Sequence, residues 1–518
     1  MAKTLQTPGV YIQEKSAFPY SAVPVATAVP AFIGYTKKAI RDKKDLTNHP
    51  TRISSFGEYL LYFGDAPDTK YELVVSADKQ QIFELSTKKE TRFLLFYSMK
   101  LFFANGGSDC YVVSIGNYSS KPILADFNAE VDVNSKLSPK GIATLERELE
   151  PSMLVIPDAV LLGADDCATL QQWMLAHCAK MASRFAILDV FMDENDTEKP
   201  DTQKLVQDFR EKIGNQNLMW GAAYYPWLHT TITGAEAVSF RQVDPESWND
   251  LIALLLTEVD ESESKGLDKK RAEDLKTEIK KIKNAVVEDL KGLDEAARSS
   301  DKILHQTLSA ISPLYQSIMA TIREKLNLLP PSAGIAGVYC MVDNNVGVFQ
   351  SPANVSLGSV IQPLVNITNE TQEDLNVPLN GKAVNAIRTF PGKGVLIWGA
   401  RTLDGNSQDW RYVNVRRTVI FIEQSIKYAI EPYVFAPNDS NTWTSVKAMI
   451  TNFLTNVWQQ GCLAGASPED AFSVDIGPGS TMTAVDVLDG FMNITVKIAV
   501  TRPAEFIVIT FQQRMQQP

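Results

Sequence analysis

Apolar and polar positions alternate at both ends of the chain. Residues 8–13, PGVYIQ, pass from a Pro-Gly turn signal into Val10 and Ile12 set against Tyr11 and Gln13, which predicts a strand with two unlike faces. At the other end FMNITVKIAV (491–500) and AEFIVITF (504–511) predict two strands separated by Arg502-Pro503. The second of these runs through Glu505, Phe506, Ile507, Val508, Ile509, Thr510 and Phe511, and from 491 to 511 the charged residues are Lys497, Arg502 and Glu505. Strands so poor in charge recruit other chains when their backbone edges stay open, so something must cover them.

Between the ends the period changes several times. Pro19, Pro24 and Pro30 predict an extended arm able to form only interrupted ladders before it enters a sheet. Helical spacing is found at 54–64 and 92–104, the second stopping at Asn105-Gly106-Gly107, and CYVVSIG (110–116) predicts a buried strand. Residues 117–150 hold no period and predict a connecting segment. From 151 the order is strand, helix, strand (MLVIPDAV, DDCATLQQWMLAHCAKMASR, FAILDVF), the mark of a parallel sheet. A helix at 202–214, a strand in LMWGAAYYPWL (218–228) and a further strand in GIAGVYCMVD (334–343) continue it. Amphipathic helices are predicted at 419–435 and 445–461. The fold class expected is multidomain α/β and α+β: an arm (1–22), a first core region (23–116), a connection (117–150), a middle α/β domain (151–400), a C-terminal α+β domain (401–500) and a second arm (501–518).

The middle domain is interrupted at 245–328 by a charged insertion. Residues 258–302 hold thirteen acidic and eleven basic side chains, with Leu275, Ile279, Ile282, Val286, Leu290 and Leu293 on one helical face. Glu273 with Lys276 and Glu278 with Lys281 have the spacing that supports a helix, so a solvated hairpin of two helices is expected.

A length of 518 residues suits about three domains, and 45% hydrophobic with 21% charged residues excludes wholesale disorder. The net charge of −11 disfavours phosphate backbones and anionic membranes as partners. No export signal or eighteen-residue apolar run is visible, so synthesis in the cytoplasm without membrane insertion is expected. Cys110, Cys167, Cys178, Cys340 and Cys462 are scattered and read as core packing. The chemistry-bearing patterns are weak. Gly392-Lys393-Gly394 lacks the rest of a phosphate loop, Gly477 and Gly479 mark a turn, and Asp193, Asn195 and Thr197 imitate a calcium loop without its glycine or distal Glu. His177 reads as a core histidine, and His229, after an aromatic strand, is the candidate base of a serine hydrolase with no GxSxG elbow to serve. No cofactor or metal is called for. Residues 380–417 invert the acidic background with Lys382, Arg388, Lys393, Arg401, Arg411, Arg416 and Arg417, which either face a negative partner or pair internally.

Several strings together carry a resemblance: PGVYIQE (8–14), PPSAGIAGVYCMVDNNVGVFQSPANV (330–355), NAIRTFPGKGVLIWGARTL (385–403), most of 410–472, and RPAEFIVITF (502–511). They resemble the tail sheath proteins of contractile phage tails, R-type bacteriocins and extracellular contractile injection systems. The resemblance implies a non-enzymatic subunit of a helical sheath, six per ring, around an inner tube, shortening when a baseplate releases it and closed by a terminal cap. A sheath-terminating cap of the same fold is the neighbouring possibility. It implies a subtilisin-like α/β fold for the middle domain, without a transferable triad. Strand arms at Val10 to Gln13 and Glu505 to Phe511 would join sheets of neighbouring subunits, and the charge inversion at 380–417 makes Arg411, Arg416 and Arg417 candidates to face the tube. The particle would be a virion tail or an extracellular injection particle released by lysis.

Overall fold

The computed structural model describes residues 22–75, 83–129, 138–193, 200–284 and 295–508. The chain forms two compact units, one from Ala26 to Arg417 and one from Thr418 onward that also takes the segment ending at Val25.

The larger unit is built on a nine-stranded sheet. Its strands are β1 (Pro30–Gly34), β2 (Thr51–Ile53), β3 (Cys110–Ser114), β4 (Met153–Val155), β5 (Phe185–Asp189), β6 (Gly221–Tyr225), β7 (Val355–Ser356), β8 (Val384–Phe390) and β9 (Gly394–Ile397). Their order across the sheet is β7-β9-β8-β6-β5-β4-β1-β3-β2. The six from β8 to β3 run parallel, with Ala223 opposite Val384, Met153 opposite Phe185 and Phe32 between Val155 and Val112. PAFIG, FAILD and GAAYY are buried along their whole length, as strands covered on both faces must be. The sheet has strands from both sides of 117–150, since β1 pairs with β3 on one side and with β4 on the other.

Pro30 lies past the extended arm: it opens a central strand that is hydrogen-bonded on both sides. A first strand position tolerates the missing donor. Helix α1 (Leu95–Ala104), α2 (Ala164–Met181) and α3 (Ser332–Asn345) carry the layers against the sheet. The predicted strand at 334–343 is in fact helix α3. Ten of its residues, from Ser332 to Val342, are buried, so it has no polar face and gives no period to read. Its glycines admit the neighbouring helix: a Cβ at Gly337 would stand 2.5 Å from the Phe102 carbonyl oxygen of α1.

Among the described residues the insertion holds four α-helices rather than two, at Trp248–Ser264, Lys269–Lys280, Glu295–Ile311 and Pro313–Leu326. They enclose an apolar core of their own, with Leu251, Leu255, Ile279, Ile282, Leu308, Ile318 and Ile322 buried. Asp268 and Ser312 cap two of the helices by accepting from Arg271 N and Tyr315 N. Lys281 pairs with Glu278 as its spacing predicts, but Lys276 bonds Asp260 and Glu263 across the turn instead of Glu273. Val286, Leu290 and Leu293 lie outside the described residues.

The smaller unit contains most of α4 (Val413–Ile430), α5 (Ser440–Gln459) and the antiparallel pair β10 (Phe472–Ile476) and β11 (Ile494–Ile498). Val446, Met449, Ile450, Phe453, Leu454 and Val457 form the buried face of α5, against which β10 packs Phe472 and Val474.

Candidate functional site

In an open parallel sheet the usual ligand crevice lies beyond the strand ends where the connections diverge. Here that point is β1, whose neighbours β3 and β4 lie on opposite sides. The crevice is filled by the chain itself. Asp158, fully buried, accepts Tyr35 N at 3.0 Å through Oδ2, and Leu94 N at 2.7 Å and Leu95 N at 3.1 Å through Oδ1. Its carboxylate thus takes the place at the start of α1 that a bound anion would take. A Cβ on Gly34 would meet Oδ2 at 2.5 Å, so Gly34 permits the fit. Burial pushes the Asp158 pKa up to about 6 against the opposing effect of the three N–H donors. Asp189, at the end of β5, does the same for α3 by accepting Ser332 N at 2.8 Å, and burial pushes it up to about 7.

The histidines are structural. His177 Nε2 accepts from Arg184 Nη1 at 2.8 Å, and burial, helped by Arg184, holds its pKa down to about 3. His229 lies on the strand Leu228–Thr230, largely buried, its Nδ1 3.9 Å from Glu324 Oε1, too far for a hydrogen bond. Burial lowers its pKa as well. Among the described residues no hydrogen bond joins it to a serine, so the geometry of a hydrolase is not assembled. Asp193 pairs with Lys89, while Asn195 and Thr197 lie outside the described residues. The five cysteines are buried and unpaired. Among the described residues no cluster could hold a metal ion, and no helix is long and apolar enough to cross a membrane.

Most of the cations described in the basic stretch at 380–417 turn inward. Arg416 is buried with its guanidinium 4.2 Å from the centre of the Trp220 ring and 4.6 Å from that of Trp410. Arg417 is buried in a two-pronged ion pair with Asp343. Lys382 donates to the Arg210 carbonyl at 2.6 Å and Arg401 to that of Asn376 at 3.0 Å. The reason is fold topology: the stretch contains β8, β9 and the start of α4, so its cations meet aromatic faces and carbonyls of the same unit. Arg411 is half-buried and donates to the Ser407 carbonyl at 2.9 Å.

β10 and β11 pair along five residues, from Phe472 opposite Ile498 to Ile476 opposite Ile494, and form a sheet of two strands only. Among the described residues neither outer edge is joined to a third strand. Beyond β11 the Thr501 N–H still reaches the Cys462 carbonyl, and then the chain leaves the sheet. Phe506, Ile507 and Val508 follow in no strand, 72%, 78% and 88% exposed. Three consecutive apolar side chains in water mark a surface that expects a partner. Val10, Tyr11, Ile12, Gln13, Ile509, Thr510 and Phe511 lie outside the described residues, and Glu505 is half-buried. Sequence reasoning missed Asp158, Asp189 and Asp343. Each does carry a signal, a lone Asp closing or following an otherwise apolar run.

A family model, the phage tail sheath C-terminal domain, matches residues 406–514. The chain is 30% identical to the tail sheath protein of Burkholderia phage BcepMu over 151 residues, 28% of this chain and 31% of that protein. It is 24% identical to the tail sheath protein of Enterobacteria phage T4 over 126 residues, 24% of this chain and 19% of that one. These matched stretches span less than a third of each relative's length. Along nearly the whole chain the fold is similar to that of the anti-feeding prophage helical sheath in the contracted state, with TM-score 0.58 and 26% identity over 99% of this chain and 100% of that one. It is equally similar to the PVC sheath complex of an extracellular contractile injection system in the contracted state, with TM-score 0.58, 26% identity and 99% of each chain covered. By sequence at its C-terminal end and by fold over nearly its full length, the chain is similar to contractile tail sheath proteins.

Proposed function

We propose that this chain is the repeating subunit of a helical contractile sheath, stacked in rings of six around an inner tube and shortening from a metastable extended state to drive that tube through a target envelope. The observation that carries the reading is the pairing of an unfinished two-stranded sheet with an adjacent exposed apolar segment. In this reading the arms, Val10 to Gln13 at one end and Glu505 to Phe511 at the other, complete the β10–β11 sheets of neighbouring copies by strand addition. A six-residue strand adds about five backbone hydrogen bonds at a net ~1 kcal/mol each. Burial of Phe506, Ile507 and Val508 adds roughly 1.5–3 kcal/mol per side chain. Such joints keep copies connected while the segments around Pro24 and Arg502-Pro503 bend. Contraction then exchanges a smaller set of contacts for a larger one, and the energy is stored when the extended polymer assembles.

The same reading assigns a subtilisin-like ancestry to the middle sheet, without catalysis, and the outer arms to 1–22 and 501–518. The partners are further copies, the inner tube, the baseplate and a terminal cap, with Arg411 the remaining candidate for the tube-facing surface. The mature particle would be a phage tail or an extracellular injection particle released by lysis. Electron microscopy of particles from the producing cells tests the proposal: a striated sheath around a thinner tube is expected, and its absence refutes it. Deleting residues 1–14 should abolish polymerisation and leave a folded monomer. Normal tubes from that deletion would refute strand addition while leaving the sheath reading standing.

A further inference from the structure

Arg417 is the last residue of the sheet unit and Ala26 its first, so the chain leaves this unit at two points. One side chain reaches both. Arg417 Nη1 donates to Asp343 Oδ1 at 2.9 Å and Nη2 to Oδ2 at 2.6 Å, with the two side chains 3% and 1% exposed. Nη2 also donates to the Thr27 carbonyl at 3.0 Å. The guanidinium lies over the Tyr339 ring at 4.7 Å, and the Tyr339 hydroxyl is 2.6 Å from that of Tyr224 on β6. Asp343 and Tyr339 both belong to α3, as does Cys340, whose thiol donates to the Ala28 carbonyl at 3.3 Å. All these groups belong to the sheet unit.

A fully buried ion pair is a poor means of gaining stability, because desolvating both charges offsets their attraction and apolar replacements are often as good. Its contribution is geometric. A planar guanidinium with five donors can hold a carboxylate in two-pronged fashion and still reach a third acceptor, which a lysine ammonium does with far less orientation. Here the third acceptor lies on the incoming chain, and the arginine itself lies on the outgoing helix.

We infer that Arg417 is the anchor residue that ties both chain passages, at Thr27 and at the base of α4, to the one carboxylate of Asp343 on buried helix α3. The mechanical part of the inference rests on the sheath reading: a pull on the N-terminal arm or on the C-terminal unit is then met by the same rigid helix, and displacement at one passage is felt at the other. Arg417 acts as a positioning residue and contacts no partner.

Hydrogen exchange on the purified full chain tests it, with R417K as one variant and R417M/D343L as a second that leaves no unpaired charge. Exchange in peptides covering 22–29 and 413–420 is expected to rise at least tenfold in both variants, while peptides covering β3, β4 and β5 stay at the wild-type rate. Unchanged exchange at 22–29 overturns the anchor. Faster exchange throughout the sheet also overturns it, since the residue would then serve core packing alone. In assembled particles R417K is expected to lower the share of extended sheaths at least twofold at unchanged monomer melting temperature. Equal shares together with raised local exchange would overturn the mechanical part only, and a failure to form any sheath in the wild type would instead refute the sheath reading.

Discussion

The nine-stranded sheet and the β10–β11 pair treat their edges in opposite ways. In the nine-stranded sheet the outer strands are β7, two residues long, and β2, three residues long, both antiparallel to their neighbours, so this sheet offers little open backbone to another chain. The buried charges of the sheet unit are answered from within: Asp158 and Asp189 by helix N-termini, Arg417 by Asp343. Among the described residues the smaller unit's two five-residue strands have no third strand at either edge, and three exposed apolar residues follow them along the chain. The nine-stranded sheet is thus closed by its own subunit, and the proposed contacts between copies rest on the β10–β11 pair and the segment after it.

The largest expected effect breaks that contrast at its open end. Replacing Phe506 and Val508 together by Asp removes apolar burial at two of the three exposed positions. Sheath yield counted by electron microscopy should fall at least tenfold. The monomer melting temperature should stay within about 1 °C, because surface substitutions away from packed features change stability little. A large drop in monomer stability would mean that these side chains serve their own subunit, and the comparison between the units would lose its basis.

How much of this was legible in the chain depended on whether a residue's partner was local. Strand β4, helix α2 and strand β5 were visible because each carries its own period, and so were α1, α5 and β11. Helix α3 was not, since a helix buried on all sides and rich in glycine looks like a buried strand until its neighbour α1 is known. Arg416 and Arg417 read as surface cations because Trp220 and Asp343, which hold them, lie far away in sequence. The charge of 258–302 made helices legible there, but not the four described, because a hairpin of two satisfies the same spacing. The arms were read from alternation alone, and for residues 504–508 the structure adds exposure rather than pairing.

The next effects sharpen the closed side of the contrast. In Gly337→Val the new side chain meets the Phe102 carbonyl oxygen at 2.5 Å and Asn105 Cβ at 2.9 Å, so α1 and α3 must move apart. Overpacking of this kind costs about 1–3 kcal/mol. Calorimetry should show the main transition lowered by several degrees. A variant melting like the wild type would show that the α1–α3 contact yields easily. Asp189→Asn has a smaller effect with a definite pH dependence. The folded-state pKa of Asp189 is raised to about 7, above the ordinary carboxylate value of 3.8, so the folded chain binds the proton more tightly than the unfolded one. Its stabilising contribution is therefore fully present below about pH 4 and lost as the pH rises through about 7. The asparagine keeps the acceptor for Ser332 N and cannot ionise. Its melting temperature relative to wild type should rise between pH 5 and pH 8, and a difference that is flat with pH would contradict a buried, proton-holding Asp189.

The smallest effect asks what holds the insertion together. Lys276 bonds Asp260 at 2.6 Å and Glu263 at 3.1 Å across the turn between two helices, a contact that invites a large stabilising role. The surroundings argue against it. Asp260 is mostly exposed, water competes for every charge in the cluster, and holding three long side chains in one geometry opposes the attraction. The apolar layer beneath, with Ile279, Ile282 and Leu308 fully buried, carries the packing instead. Lys276→Met should accordingly lower the melting temperature by no more than about 1 °C at 0.15 M salt, with a still smaller difference at 1 M where exposed charges are screened. A drop of many degrees that vanishes in high salt would mean that the insertion is held by its surface charge, and that this part of the sheet unit is less closed than its buried core implies.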